Sequence, residues 1–425
     1  MAVKQQKFDP IDDATFQVEN KNRGWSQRAR ESALKRLSTM GLPSHRDEYW
    51  KYTNPTELLT EKFPVSSVVG LEDANIFSEL DALKIVFCDG VFDPNLSDDL
   101  AAENIIINRL EENGDLHWAK NYYGLLEEKG QIPVSRSLAA LNTAIASDGA
   151  LIHVKGKVEK PVLIIGVRNN TVEAILHHVI KVEKDCSITL LESGPFAKRL
   201  NTVMEVFLDE GASLEHIRAQ GRDHDRLAVT HVFADIKENA KFKSFTLSAN
   251  GMLTRNECVL TLSGDECAAH VAGASVGDGK SFHHDDTIFI THDAVACESR
   301  QVFKKVLRNG ATGVFQGKIL VKEGAQKTDG YQISQSLLLD DDSQFLAKPE
   351  LEIYADDVAC SHGSTSGAID EEALFYLCSR GISEKEAADM LTLAFLAEAV
   401  EEIENDKIAD IIVEKISAWL SRRRN

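Results

Sequence analysis

The chain has 425 residues, a length sufficient for a large core and two or three structural units. Of these residues 43% are hydrophobic and 27% are charged. Its 67 acidic and 47 basic residues give a net charge of −20, which argues against nucleic acid as a ligand because phosphate backbones require a basic surface. Residues 1–13 lack the apolar run of a secretory signal, and the longest apolar stretch, residues 162–167, is too short to span a bilayer. We therefore expect a cytoplasmic protein that does not cross a membrane.

Residues 1–135 are predicted to form an N-terminal region of helical and mixed structure. Apolar residues recur at helical spacing over residues 28–40, and Gly41 and Pro43 end the pattern. Residues 43–53 then follow the pattern Pro-x-x-Arg-x-Glu-x-Trp-Lys-Tyr-Thr. We expect this stretch to be an aromatic-rich loop that packs on a helix and carries no chemistry.

Residues 136–366 are predicted to form the core of the protein. A helix over residues 137–147 ends at Asp148 and Gly149, after which Val, Ile, Leu, Phe and Thr dominate short runs between turn residues. A polar turn followed by a small residue recurs, and a second turn falls near the middle of most units. The small residues are Cys186, Ala212, Ala240, Cys267 and Ala294, and the second turns are expected at Gly194, Gly221, Gly251 and Gly277.

The spacing of this repeat predicts the architecture of the core. The differences 212 − 186, 240 − 212, 267 − 240 and 294 − 267 are 26, 28, 27 and 27. Two strands and two turns in about 27 residues form one coil of a flattened β-solenoid, in which each coil buries its inner face against its neighbours. An antiparallel sandwich would also give short strands, but it would not favour a steady period of two turns. The pattern therefore predicts parallel strands stacked in two sheets.

Residues 367–425 are predicted to form a C-terminal helical domain. Asp370 is expected to cap its first helix, and Ser383 begins a Ser-x-x-Glu capping box for a second helix that ends near residue 403. A third helix is expected over residues 407–420, followed by a basic tail that favours the helix dipole and needs no ligand to explain it.

Residues 273–281 are glycine-rich and superficially resemble a phosphate-binding loop. The pattern for such a loop requires glycine at position 274, where this chain has alanine. The residues after Ser281 also read as a strand, whereas a phosphate-binding loop opens a helix. We therefore expect a β-turn here and no ATPase activity in this chain.

Two further groups of residues could suggest chemistry, and both have a simpler explanation. The cluster formed by residues 283–286, His292 and Asp293 is expected to consist of solvated turn and strand-surface residues, because only half of such a set shares one face of a strand. Cys297 is expected to be a structural thiol rather than a nucleophile activated by Glu298. The seven cysteines contain no CxxC pair, so neither a disulfide framework nor a four-cysteine metal site is predicted.

The strongest chemical signal is Cys360 and His362, which lie two residues apart in a segment of small residues. Alternate positions of a strand share a face, and a thiol together with an imidazole suits iron or zinc. Residues 359–367, with the following 370–377 and 379–382, closely resemble the C-terminal signature of the SufB/SufD family, the scaffolds of iron–sulfur cluster assembly. The stretch at residues 43–53 resembles the N-terminal motif of the D-type members.

The resemblance also distinguishes the two branches of the family. In B-type members the histidine that corresponds to His362 is flanked by two glutamates, and here those positions are Ser361 and Gly363. The sulfur-accepting cysteine of B-type members precedes a Ser-Leu-Leu run, and the matching position here is Ser334. The chain has therefore kept the imidazole and lacks the acceptor thiol and both acids, which is the D-type pattern.

Membership of this family would imply a mainly β fold with a right-handed parallel β-helix, flanked by the N-terminal mixed region and the C-terminal helices. It would imply a non-enzymatic scaffold subunit that pairs with a SufB-like subunit and binds a SufC-like ABC ATPase through residues 367–425, with self-pairing as a further possibility. His362, and more weakly Cys360, would help to hold a transient iron–sulfur cluster at the SufB-like interface, and the isolated chain would bind no cofactor.

A β-helix enzyme that acts on acidic polysaccharide is the alternative. Such an enzyme needs clustered basic residues and calcium-binding carboxylates on one solenoid face, which a strongly acidic chain disfavours. Co-purification with an ATPase would separate the two hypotheses.

Overall fold

The computed structural model describes residues 24–59, 68–112, 117–169, 173–221 and 223–421. The N-terminal segment 1–13 and the basic tail beyond residue 421, both considered above, lie outside these ranges. The described chain forms a β-solenoid of about seven turns with helices at both ends. None of the helices in these ranges is both long enough and apolar enough to cross a membrane.

The helices surround the solenoid and lie mostly before and after it in the chain. They are α1 Gln27–Met40, α2 Thr56–Leu59, α3 Leu71–Ala74, α4 His117–Lys120, α5 Leu125–Lys129, α6 Ser137–Ile145, α7 Glu371–Ser379, α8 Glu384–Val400 and α9 Asp406–Ser421. The first strands are β1 Leu83–Cys88, β2 Val91–Phe92, β3 Ile105–Arg109, β4 Ala150–Val154, β5 Val162–Val167, β6 Glu173–Val182, β7 Ser187–Ser193, β8 Arg199–Leu208, β9 Ser213–Gln220 and β10 Leu227–Ile236. The remaining strands are β11 Lys241–Ala249, β12 Leu253–Leu262, β13 Ala268–Asp278, β14 His283–His292, β15 Glu298–Arg308, β16 Thr312–Val321, β17 Thr328–Leu338, β18 Gln344–Ile353 and β19 Val358–Gly367.

The strands form two facing sheets, and the chain passes from one sheet to the other at each turn. One sheet has the order β19-β17-β15-β13-β11-β9-β7-β5-β1-β2, and the other has the order β18-β16-β14-β12-β10-β8-β6-β4-β3. From β4 to β17 every strand pairs in parallel with the strand two positions later. The predicted solenoid of parallel strands is thus confirmed.

The small residues of the repeat lie at the corners, as predicted for the first four units. Cys186, Ala212, Ala240 and Cys267 are all buried there, where a larger side chain would prevent the turn from closing inward. The fifth position was predicted wrongly as Ala294. The residue stacked on Cys267 is Cys297, with 3.6 Å between the two sulfur atoms.

The coils lengthen toward the C-terminal end, which explains this error. The register pairs Lys241 with Ala268, Ala268 with Glu298, and Glu298 with Asp329. The successive differences in residue number, 268 − 241, 298 − 268 and 329 − 298, therefore rise from 27 to 30 and then 31. The position of the second turn within the coil also changes. Gly277 lies within β13 rather than in the turn predicted for it.

The N-terminal segment docks on the outside of the nine-stranded sheet. Helix α1 occupies the region predicted for it, and Glu48–Trp50 form a short 3-10 helix. The indole of Trp50 lies 4.3 Å from the guanidinium of Arg255 in β12, and the hydroxyl of Tyr49 donates to Glu350 in β18 at 2.5 Å. The expectation that this segment packs on a helix was incomplete, because its main partners are strands of the solenoid.

The C-terminal helices differ in how they are covered. Helices α7 to α9 occupy the predicted regions, and the side chains of Asp370 and Ser383 cap α7 and α8. Helices α8 and α9 bury apolar residues against the outer face of the ten-stranded sheet. Helix α7 has no buried residue, and its Phe375 is 76% exposed.

The division of the chain into domains at 135/136 and 366/367 remains a proposal. The second boundary falls at the end of β19. The first boundary falls just before α6, although β1 and β3 from the N-terminal region already pair with β5 and β4.

Candidate functional site

The solenoid ends in an open coil. Strands β18 and β19 are the last strands of their sheets, so each has a hydrogen-bonded neighbour strand on one side only. Neither strand has a buried residue, in contrast to the strands of the preceding coils. An uncovered pair of edge strands presents free backbone donors and acceptors together with the inner face of the coil.

Cys360 and His362 both lie in β19, on the face that points into the solenoid. The hydroxyl groups of Ser364 and Ser366 contact those of Ser334 and Ser336 in β17 at 2.6 and 2.8 Å, which fixes the inner face of β19 as its even-numbered positions. Because side chains alternate along a strand, Cys360 and His362 lie on this same face. The structure thus places the two sequence-predicted residues side by side at the open end.

The two side chains have different surroundings. Cys360 is half-buried and packs with a small apolar cluster that includes Ile319, Val321 and Leu351. Burial raises the pKa of its thiol above the usual value. His362 is exposed. The imidazole is therefore available to a ligand from outside, and the thiol is directed toward the apolar interior.

Ser334 is the position that the family resemblance described above matches to the acceptor cysteine of B-type members. It is buried beside the inner row of β19, and its hydroxyl shares a hydrogen bond with Ser364. A hydroxyl in this pair is a poor ligand for iron, which prefers thiolate and imidazole. The inner face of the last coil therefore offers one accessible imidazole and one half-buried thiol.

Sequence reasoning missed Gln332, the β17 residue paired in register with His362. Its side chain is fully buried, and neither of its amide atoms has a hydrogen-bond partner in the described part of the chain. A signal was present in the sequence, because the pattern Gln-x-Ser-x-Ser over 332–336 recurs one coil later as His-x-Ser-x-Ser over 362–366. The shorter period predicted from the earlier coils concealed this match.

The prediction that this cluster is solvated was wrong for His284, Asp285, Asp286 and His292, whereas Asp293 is exposed as predicted and His283 is half-buried. His284, Asp286 and His292 lie inside the solenoid, and Asp285 is buried beneath the N-terminal segment. Asp286 accepts a hydrogen bond from the ammonium group of Lys305 at 2.5 Å, and burial raises its pKa. Charge pairing allows Asp286 to be buried, and hydrogen bonds to serine hydroxyls do the same for His284 and His292. These partners were not visible from the order of residues along the chain.

Metal binding by this cluster gains no support. Within residues 24–421, as far as they are described, no three His, Cys, Asp or Glu side chains are grouped so that they could hold a metal ion. The glycine-rich segment at 273–281 continues β13 and turns directly into β14, so no helix follows it as a phosphate-binding loop would require. Cys297 is buried against Cys267, as expected for a structural thiol.

Comparison with known proteins gives the family context of this site. Residues 165–395 match the family description "SUF system FeS cluster assembly, SufBD core domain", and residues 1–164 match "SufBD protein N-terminal region". The iron–sulfur cluster assembly protein SufD of Escherichia coli is 28% identical over 402 residues, which cover 91% of each chain. SufD of Bacillus subtilis is 25% identical over 414 residues, which cover 92% of each chain. A SufBD family protein of Synechocystis is 27% identical over 407 residues, which cover 88% of this chain and 86% of the relative. The chain therefore belongs to the SufBD family of iron–sulfur cluster assembly proteins.

Proposed function

We propose that this chain is a non-enzymatic, D-type scaffold subunit of an iron–sulfur cluster assembly complex. The observation that carries the proposal is the exposed imidazole of His362 on the inner face of an open last coil. The two SufD relatives, which match over more than nine-tenths of both chains, support the D-type assignment. Cytoplasmic location belongs to the same proposal.

The nascent cluster is the cargo of this site, and the chain supplies only part of its ligands. Imidazole is a borderline ligand for iron, and one histidine among thiolates favours later release of the cluster. Cys360 is the weaker candidate because its sulfur packs in the apolar cluster described above. The remaining ligands would come from a SufB-like partner that covers the open end.

The open end is the surface we assign to that partner. The unpaired edges of β18 and β19 can accept further strands, and a partner that covers them would also enclose His362. A second copy of this chain could use the same edges when no SufB-like subunit is present.

Gly363 allows a test of the interface that spares the fold. No atom lies within 4 Å of the position that a Cβ at residue 363 would occupy, so Gly363→Arg should fold normally and obstruct the partner. Gly324 in the turn before β17 has the same free space and serves as the control. We expect Gly363→Arg to abolish co-purification with the SufB-like subunit and Gly324→Arg to leave it unchanged. Equal binding by both variants would place the interface elsewhere.

The ATPase partner is assigned to helix α7 and the start of α8. Helices α8 and α9 are already occupied by the solenoid, whereas α7 exposes Phe375, and Tyr376 is 56% exposed beside it. An exposed pair of aromatic residues on a helix is typical of a helix that docks in a groove of a partner. Nucleotide binding would then reach the cluster site only through movement of these helices.

The central test concerns His362 in the assembled complex. We expect His362→Ala to leave folding and subunit stoichiometry intact, as read by native mass spectrometry, and to abolish iron and sulfide loading. Cys360→Ala should have a smaller effect, and His224→Ala, at another exposed histidine, should have none. Normal loading in His362→Ala would make this histidine structural and would locate the cluster ligands entirely on the partner.

The polysaccharide-acting alternative is not favoured. Family membership provides a specific account of the whole chain, whereas the alternative depended on fold analogy alone.

A further inference from the structure

Gln332 is a buried polar residue whose packing contacts leave its amide group without a hydrogen bond in the described chain. Its side chain is 0% exposed, and both its amide nitrogen and its amide oxygen lack a hydrogen-bond partner in the ranges that the structure describes. A buried amide that makes no hydrogen bond destabilises the fold, so such a group requires an explanation.

The interior of the solenoid provides a specific place for this amide. Gln332 reaches across the coil to Gly317 of the opposite sheet, where an added Cβ would lie 2.6 Å from the glutamine oxygen. Only glycine at position 317 leaves room for the Gln332 carboxamide in this coil. The site is therefore shaped around the amide and yet offers it no partner from the opposite strand.

On the side of the open end, the polar side chain next to Gln332 is that of His362. The two residues are register partners on adjacent parallel strands, about 4.8 Å apart between backbones. Their side chains share the inner face, as the hydroxyl contact between Ser334 and Ser364 shows for the next inner position. The spacing of adjacent parallel strands brings inner-face side chains at paired positions within reach of each other.

We infer that the carboxamide of Gln332 hydrogen-bonds one ring nitrogen of His362 and so holds the imidazole with its other nitrogen directed out of the open coil. Gln332 is thus a positioning residue for the nascent-cluster site, and this consequence rests on the proposed function. A histidine that binds a metal generally makes such a second contact, which fixes the tautomer and the orientation of the ring. A carboxamide carries both a donor and an acceptor, so it can serve either ring nitrogen.

Gln301 provides a matched control. It is the β15 register partner of Gln332, it is equally buried, and both of its amide atoms also lack partners in the described residues. It lies one strand further from His362. Replacing either glutamine by leucine removes the same group from the same interior row, but only Gln332→Leu removes the inferred contact.

The experiment uses two independent measurements. In the full-length isolated chain with ¹⁵N-labelled histidine, the ring-nitrogen shifts of His362, assigned by their loss in His362→Ala, report its tautomer. In the complex with the SufB-like and ATPase subunits, iron and sulfide content reports cluster loading. We expect Gln332→Leu to change the His362 shifts and to lower loading about tenfold or more, and Gln301→Leu to change neither. If Gln332→Leu fails to fold, Gln332→Glu retains the shape and an acceptor, and it should shift His362 toward the tautomer that donates to it.

The outcomes separate this inference from the proposed function. Unchanged His362 shifts in Gln332→Leu, or equal changes in Gln301→Leu, would overturn the contact. Changed shifts with normal loading in Gln332→Leu, where His362→Ala loses its cluster, would overturn the positioning role. Changed shifts with normal loading in His362→Ala as well would support the contact and refute the proposed function.

Discussion

Lys305 and Asp286 form an ion pair inside the solenoid, and breaking it should weaken the fold measurably. The ammonium group lies 2.5 Å from the carboxylate, and the two side chains are 1% and 3% exposed. Lys305→Met keeps the length of the side chain and removes its charge, which leaves Asp286 buried without its cation. Removing one member of a buried pair costs about 3–5 kcal/mol. At about 2.1 cal/mol/K per residue, a 425-residue chain unfolds with an entropy of about 0.9 kcal/mol/K, so Tm should fall by about 3–6 °C.

The effect should depend on pH in a defined direction. Burial raises the pKa of Asp286 above its ordinary value of 3.8, and Lys305 counteracts this, so the substitution raises the pKa further. A carboxyl group whose pKa is higher in the folded state than in the unfolded state binds more protons when folded. Stability then falls as the pH rises from the unfolded pKa through the folded one. The Tm deficit of Lys305→Met should therefore be smaller at pH 5 than at pH 8.

Lys322→Met provides the control. Lys322 pairs with Asp293 across neighbouring coils at 2.7 Å, but the two side chains are 49% and 39% exposed. Exposed pairs contribute about 0–1 kcal/mol, so Tm should change by about 1 °C or less. Scanning calorimetry at pH 5 and pH 8 measures Tm for the unsubstituted protein and for the two variants. Equal losses in the two variants, or a Lys305→Met deficit that grows toward pH 5, would refute the reasoning.

Three further predictions concern separate regions of the chain. Phe375→Ala should weaken binding of the proposed ATPase partner at least about tenfold in a calorimetric titration, with no change in Tm, because the ring is 76% exposed and supports no core. Unaltered affinity would remove α7 from the proposed interface. Gly149→Ala should lower Tm by at least about 1–3 °C or prevent folding, because the added Cβ would lie 1.8 Å from the backbone oxygen of His177. Gly221→Ala is the control and should be tolerated, because its Cβ would lie 3.6 Å from the nearest atom, the Cβ of Ala249. Thr53→Val should cost about 1–3 kcal/mol, since the buried hydroxyl donates to Asp285 at 2.5 Å, and Thr53→Ser should restore most of the loss in the same thermal assay.

The architecture of the core could be predicted from sequence because every coil must turn at the same places and bury the same inner face. A polar turn, a small corner residue and two apolar strands recur with a nearly constant period, and the register of the strands confirms it from Cys186 to Cys267. The prediction lost the repeat after Cys267, where the coil becomes longer. Without a structure, a longer coil cannot be distinguished from a turn that has moved.

The burial of polar residues was not accessible from sequence. Histidine, aspartate and lysine side chains are usually exposed to solvent, and they can be buried only when other groups in the fold form hydrogen bonds or ion pairs with them. The partner of Asp286 is Lys305, 19 residues away and in the opposite sheet, so no local pattern joins them. The same limit applies to Gln332, whose place beside His362 depends on the greater length of the last coils.

The contact between Tyr49 and Glu350 has a consequence for the order in which the protein folds during synthesis. The two residues are 301 positions apart. The ammonium group of Lys348 also lies 4.0 Å from the centre of the Tyr49 ring. Successive coils can pack as they leave the ribosome, because each rests on the one before it. The segment around Tyr49 cannot complete its contacts until β18 has emerged, which takes about 15–60 s at about 5–20 residues per second. For that interval Tyr49 lacks these two partners, so an early part of the chain is among the last to be fully protected from proteases.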